Sequence, residues 1–110
     1  EILVHFESAA PIVKNNSDAQ SYTAVGDFEL EHFGISASGY MKGELFLETG
    51  VATGIFTSKG VLFNSTANPN ADLMFKRALK VGAGVIVKIE RSNLDNQSQA
   101  LYSFMNGLET

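Results

Sequence analysis

Apolar and polar residues alternate along much of the chain. The alternation is clearest in segments 27–33 and 40–48, where one face is mainly apolar and the other mainly charged. Shorter runs rich in β-branched and aromatic residues occur elsewhere, at 2–7, 51–57, 60–65, 85–90 and 99–104, and a tight turn at 58–60 joins two of them. Alternation this frequent predicts an antiparallel sheet with one face buried and the other in water.

Segment 69–81 departs from this period and predicts the one helix of the chain. Asn68 is suited to cap a helix, Pro69 to occupy its first position, and Asp72 to lie in its first turn. An apolar helical face follows, formed by Leu73, Met74, Phe75, Ala78 and Leu79. Gly82 stands where a left-handed cap would end the helix.

The order of these elements predicts a fold. A small protein with many strands must close its sheet or stack two sheets, because open apolar edges promote association. A single helix before the last two strands fits a mainly β, five-stranded OB-like antiparallel barrel in which the helix plugs one end. We therefore expect residues 1–110 to form one barrel domain. A β-sandwich and a small Sm-like barrel are the alternatives.

The C-terminal third resembles a known family. The motifs are the run from Phe75 to Gly82, the strand-like run 85–90, and the run 100–104. They resemble the end of the small OB-fold single-stranded-DNA-binding proteins that phages encode, in which a helix leads through a Val-Gly step into a strand. Ala83 and Gly84 follow here, where the family usually has Asp. The resemblance implies a phage replication or recombination accessory protein that acts in the host-cell cytoplasm.

Composition excludes several kinds of chemistry. The chain has no cysteine, so it can hold neither a disulfide nor a thiolate nucleophile. The apolar runs are too short to span a bilayer, so we expect no membrane partner. His5 with Glu7 has a spacing that a metal could use, but two such ligands do not make a site. We predict a protein that is not an enzyme and carries neither metal nor cofactor.

Aromatic and basic residues in the predicted strands suggest a binding surface. Phe33 and Phe46 are the clearest cases, because each lies on the charged side of an alternating strand. Single-stranded nucleic acid binds through bases stacked on aromatic rings and phosphates held by cations. The predicted nucleic-acid-binding residues are Phe33, Tyr40, Lys42, Phe46, Lys59, Phe63, Lys88, Arg91 and Tyr102.

These observations predict non-catalytic binding of single-stranded DNA by a protein that also forms homo-oligomers. The net charge of −4 opposes this interpretation, since nucleic-acid-binding domains are often basic. The alternative is a protein–protein interaction or virion-assembly module, of sandwich or Sm-like form. In that case the same exposed aromatic residues would lie at a subunit interface.

Overall fold

Eight β-strands account for most of the chain. A computed structural model describes residues 2–65 and 67–110, and within these ranges the chain forms no helix. The connections between strands are short, except at residues 49–55 and 64–69. The strands are β1 Ile2–Ile12, β2 Ser17–Thr23, β3 Phe28–Ser36, β4 Met41–Glu48, β5 Phe56–Phe63, β6 Asn70–Val81, β7 Ile86–Asn93 and β8 Gln99–Glu109.

The strands form two four-stranded antiparallel sheets. Sheet A has the order β1-β8-β3-β6, and sheet B has the order β2-β7-β4-β5. Only the β4–β5 connection joins neighbours within one sheet, and every other connection crosses to the opposite sheet. This strand order is that of a jelly-roll β-sandwich. The mainly β prediction is confirmed, whereas the predicted closed barrel is wrong.

The core lies between the inner faces of the two sheets. Sheet A contributes Phe28, Leu30 and Met105, and sheet B contributes Leu45 and Ile89, all at most 1% exposed. Each sheet buries every second residue, so its other residues form an outer face. The sandwich therefore presents two broad outer faces, on opposite sides of the molecule.

The predicted helix at 69–81 is strand β6, at the edge of sheet A. Its inner face consists of Ala71, Leu73, Phe75, Leu79 and Val81. The sequence pattern also fits a helix, because the apolar residues Met74 and Ala78 lie between these positions. Pairing with β3 along this segment supplies backbone hydrogen bonds that no isolated pattern reveals. Tertiary pairing has overridden the local helix signals.

Two further predicted boundaries differ from the structure. The predicted loop at 11–21 contains most of β2, which pairs with β7 over seven residues. The predicted turn at 58–60 is instead a bulge within the continuous strand β5, because Leu45 pairs with Gly60 while Phe46 pairs with Ser58. Lys59 is the extra residue of this bulge.

A second bulge, at Glu31 in β3, reverses the alternation of that strand. Pairing with β8 is regular up to Leu30 and resumes at His32. Phe33 therefore points inward with Leu30, is fully buried, and stacks on Phe75 with ring centroids 5.9 Å apart. The predicted exposure of Phe33 is wrong by one residue of register.

Arg91 lies inside the sandwich, where it links the two sheets. Its side chain is 2% exposed, and its Nε and Nη2 donate to the two carboxylate oxygens of Asp18 at 2.9 and 2.7 Å. Its Nη1 donates to the carbonyl oxygen of Ser8 at 2.8 Å and contacts Ser103 Oγ on β8. Arg91 follows Val87 and Ile89 on the inner face of β7. The prediction that it meets phosphates at the surface is wrong.

We expect Asp18→Asn to destabilise the fold by about 3 kcal/mol, the lower end of the range for a broken buried ion pair, because Asp18 itself is partly exposed. The amide keeps the size of the side chain but leaves the Arg91 charge without a counter-ion. Urea unfolding followed by circular dichroism measures the change. Glu31→Gln, an acid-to-amide change at an exposed bulge, is the control. Equal costs for the two variants would contradict the proposed importance of the pair.

Candidate functional site

The outer face of sheet B brings together most of the predicted binding residues. Cross-strand pairing sets Lys42 beside Phe63 and Ser92, and sets Phe46 beside Ser58 and Lys88. Between these two rows, Glu44 pairs with Val61 and Glu90. We call this surface, formed by Lys42, Glu44, Phe46, Phe56, Lys59, Val61, Phe63, Lys88 and Glu90, the sheet B face.

Lys88 lies against two aromatic rings of the sheet B face. Its Nζ is 4.1 Å from the centroid of Phe56 and 5.5 Å from that of Phe46. At these distances the ring quadrupoles attract the ammonium group. The two rings and the cation therefore stabilise one another, and they present a continuous surface rather than separate groups.

The Lys42 ammonium also has a charged partner within the sheet B face. Its Nζ lies 3.4 Å from Oε1 of Glu44. A hydrogen bond from Ser58, together with the Lys42 ammonium, holds the pKa of Glu44 below its ordinary value. Glu44 thus stays ionised and neutralises Lys42 at neutral pH.

The edge of the sheet B face is its most exposed apolar part. The side chains of Phe63 and Val61 on β5 are 61% and 43% exposed, and they point the same way because they are two residues apart. Lys59 at the β5 bulge is exposed beside them. Exposed aromatic and aliphatic residues that adjoin one another mark a surface for interaction.

Asn64 fixes the end of the sandwich next to Phe63. Its Oδ1 accepts from the Met41 backbone at 2.7 Å, and its Nδ2 donates to the carbonyl oxygens of Gly39 and Pro69 at 2.8 and 3.2 Å. These bonds tie the start of β4 to the end of β5. Lys42 and Phe63 are consequently held on rigid backbone.

Two further carboxylates of the alternating segments, Glu48 and Glu31, add no exposed charge to this surface. Glu48 is buried, and its two oxygens accept from the backbone of Gly54 at 2.9 Å and of Ile86 at 3.2 Å. Glu31 belongs to sheet A. Glu48 pairs with Phe56 and so lies on the same side of sheet B, but its carboxylate is buried; Glu44 and Glu90 are the acidic side chains that this surface partly exposes, against three lysines.

The structure separates four predicted residues from the remaining five. Phe33 and Arg91 are buried in the core. Tyr40, 48% exposed, lies in the β3–β4 connection at the end of the sandwich. Tyr102 is on the outer face of sheet A, where its hydroxyl donates to Glu7 at 2.8 Å. Lys42, Phe46, Lys59, Phe63 and Lys88 are the members that sheet B holds on or beside one face.

Phe56 belongs to this surface, although it is not among the predicted binding residues. The predicted turn at 58–60 separated it from Phe63, although both belong to one strand. A bulge at Lys59 shifts the alternation by one residue, which brings Phe56 and Phe63 to the same side despite their odd spacing. If the alternation of β5 is shifted by one residue at Lys59, the sequence predicts that Phe56 lies on the same side as Phe63.

The described residues contain neither a cluster of metal ligands nor a membrane-spanning helix. Among residues 2–65 and 67–110, no three His, Asp or Glu side chains come together as a metal would require. Nor do these residues form any helix long and apolar enough to cross a bilayer.

We expect Tyr102→Phe to raise the pKa of Glu7 toward its ordinary value. The Tyr102 hydroxyl, and secondarily His5, hold that pKa low by hydrogen bonding to the carboxylate. A lowered folded-state pKa stabilises the fold above the ordinary glutamate pKa, and this contribution disappears as the pH falls through the lowered value. Carbon-detected NMR titration of the Glu7 carboxylate measures the shift. Tyr22→Phe, which removes a bond to Glu109 instead, should leave Glu7 unchanged. An unchanged pKa in Tyr102→Phe would refute the assignment.

No protein-family model matches this chain, and no curated protein matches it either. The likeness of the C-terminal third to phage single-stranded-DNA-binding proteins therefore stays a hypothesis. The segment that carries its helix motif is strand β6 in the structure.

Proposed function

We propose that this chain is a non-catalytic assembly module that associates with further copies of itself through the sheet B face. The observation that carries the proposal is the exposed pair Phe63 and Val61, which continues into the Phe46–Lys88–Phe56 cluster. Fully buried interface centres are typically depleted in charge and enriched in aromatic residues. Apart from Lys59, the exposed edge of this face has that composition.

The charges of the sheet B face support a protein partner. Lys42 is paired with Glu44, and Lys88 is held by two rings. Burying a charge that already has a partner costs far less than burying a lone one. The face can therefore be covered by protein without leaving these two cations unsatisfied.

The order of charges across the strands supports a second copy as that partner. A row with Lys42 is followed by a row with Glu44 and Glu90, and then by a row with Lys88. A copy related by a two-fold axis lying between the first two rows would set Lys42 of each chain opposite the carboxylates of the other. Such self-complementarity is what a symmetric homodimer requires.

Single-stranded DNA is the second candidate ligand of the same face. Lys42, Lys59 and Lys88 lie on the sheet that also exposes Phe46 and Phe63, which is the combination that stacking and phosphate contacts need. The internal pairing of two of these lysines and the net charge of −4 weigh against it. We therefore place DNA binding second.

We expect the chain to self-associate with concentration, and Phe63→Ser to weaken that association about thirtyfold, since truncating an aromatic side chain that an interface buries costs about 2 kcal/mol. Sedimentation equilibrium over a range of protein concentrations measures both constants. Tyr40→Ser, an exposed aromatic outside the sheet B face, is the matched control. A monomeric mass at every concentration, or equal association by Phe63→Ser and the parent chain, would overturn the proposal.

Fluorescence anisotropy with labelled oligo-dT at two salt concentrations tests the second candidate. If DNA is the ligand, binding should weaken steeply with salt and fall about tenfold in Lys59→Ala, because each phosphate contact releases counter-ions. Tyr40→Ser again serves as the control. Under the assembly proposal we expect no binding at low salt and micromolar protein.

A further inference from the structure

A row of side chains crosses the outer face of sheet A, on the opposite side from the sheet B face. Phe104 on β8 pairs with Glu7 on β1 and with Gly34 on β3, and Gly34 pairs with Asp72 on β6. The row therefore places one aromatic ring between two carboxylates. Over four adjacent strands it extends for about 14 Å.

The Phe104 ring lies over Gly34. A Cβ atom at Gly34 would collide with Cε1 and Cζ of the ring, so the ring occupies the space that a side chain at Gly34 would fill. The ring thus covers the β3 backbone at Gly34 and remains partly exposed. Glycine at position 34 is what allows this orientation.

Both histidines of the chain flank this ring. His5 stacks beside it with a centroid distance of 5.6 Å, and His32 meets it edge-on at 5.0 Å. Asn106 lies between them in the cross-strand pairing, since it pairs with His5 on one side and His32 on the other. The row beside Phe104 thus consists of two imidazoles and an amide, which can donate and accept hydrogen bonds.

Each carboxylate is held by its neighbours through one oxygen. Oε2 of Glu7 accepts from the Tyr102 hydroxyl at 2.8 Å and lies 3.3 Å from His5 Nε2. Oδ2 of Asp72 lies 2.7 Å from His32 Nε2. Within the part of the chain that the structure describes, the other oxygens, Oε1 and Oδ1, have no such contact. Two acceptors are therefore oriented in advance of any ligand, which lowers the entropic cost of binding.

We infer that this surface binds a neutral oligosaccharide. The negative face of an aromatic ring attracts the positively polarised C–H groups on the flat side of a sugar ring. Sugar hydroxyls can donate to Oε1 of Glu7 and Oδ1 of Asp72 in charge-assisted hydrogen bonds. They can also donate to or accept from the imidazoles and Asn106. The length of the row exceeds one sugar ring, so the ligand is a chain of several sugars. We call this surface the Phe104 platform.

Other ligand classes fit the Phe104 platform less well. The carboxylates of Glu7 and Asp72 repel phosphate and nucleic acid. An apolar protein surface would bury both carboxylates without supplying hydrogen bonds, which is costly. A lysine-rich peptide would satisfy the carboxylates, but each of its long side chains loses conformational entropy when it is held in place, a cost that a rigid sugar ring does not carry.

Screening on an array of neutral glycans, followed by NMR titration with the best oligosaccharide, tests this inference. We expect at least one glycan to bind and to shift the amide signals of Gly34, Phe104 and Asn106. Phe104→Ala should weaken binding about tenfold by removing the stacked ring. Glu7→Gln and Asp72→Asn, which preserve size, should each weaken it severalfold. Tyr40→Ala, an exposed aromatic at the end of the sandwich, should have no effect.

Three results would overturn the inference. They are the absence of binding to every neutral glycan on the array, glycan binding that Phe104→Ala leaves intact in a folded protein, and tighter binding of tetralysine than of any glycan. The amide spectrum of each variant shows whether it is folded. The inference is independent of self-association, because Phe63→Ser alters only the opposite face and should not change glycan affinity per chain.

Discussion

The sandwich depends on the neutralisation of one buried cation. Arg91 lies inside the molecule because it follows Val87 and Ile89 on the inner face of β7. Asp18 on β2 accepts two hydrogen bonds from it, and groups on β1 and β8 accept from its Nη1. Closing the two sheets in another register would separate the charge from these partners. The observed register in turn determines which side chains each outer face presents.

Alternation along the chain was sufficient to predict most strands, including those that became β3, β4, β7 and β8. It could not predict how strands pair, since six of the seven connections cross between sheets and partners lie far apart in sequence. β6 shows the difficulty, because its apolar residues fit both a helix and a strand until β3 is placed beside it. The predicted barrel followed from that helix and failed with it.

The candidate site was predicted in part, and the failures have distinct physical causes. Lys42, Phe46, Phe63 and Lys88 share one face because β4, β5 and β7 are adjacent. The prediction for Phe33 was wrong because the bulge at Glu31 cannot be detected from the local sequence pattern. The burial of Arg91, by contrast, follows from the regular alternation of β7. The neighbours of Tyr102 could not be foreseen, because Glu7 is far away in sequence and reaches it only through the pairing of β1 with β8.

The position of β8 has a consequence for synthesis on the ribosome. β8 lies in sheet A between β1 and β3, so β1 is joined to the sheet only through a strand that is translated about a hundred residues later. Until β8 emerges, β1 has no partner strand, and one edge of β3 is open. Sheet B, whose four strands are all complete by Asn93, can form earlier. The nascent chain can thus pass through a stage in which sheet B faces only β3 and β6 of sheet A. Part of its apolar inner face is then uncovered, and chaperone binding or aggregation would compete with folding.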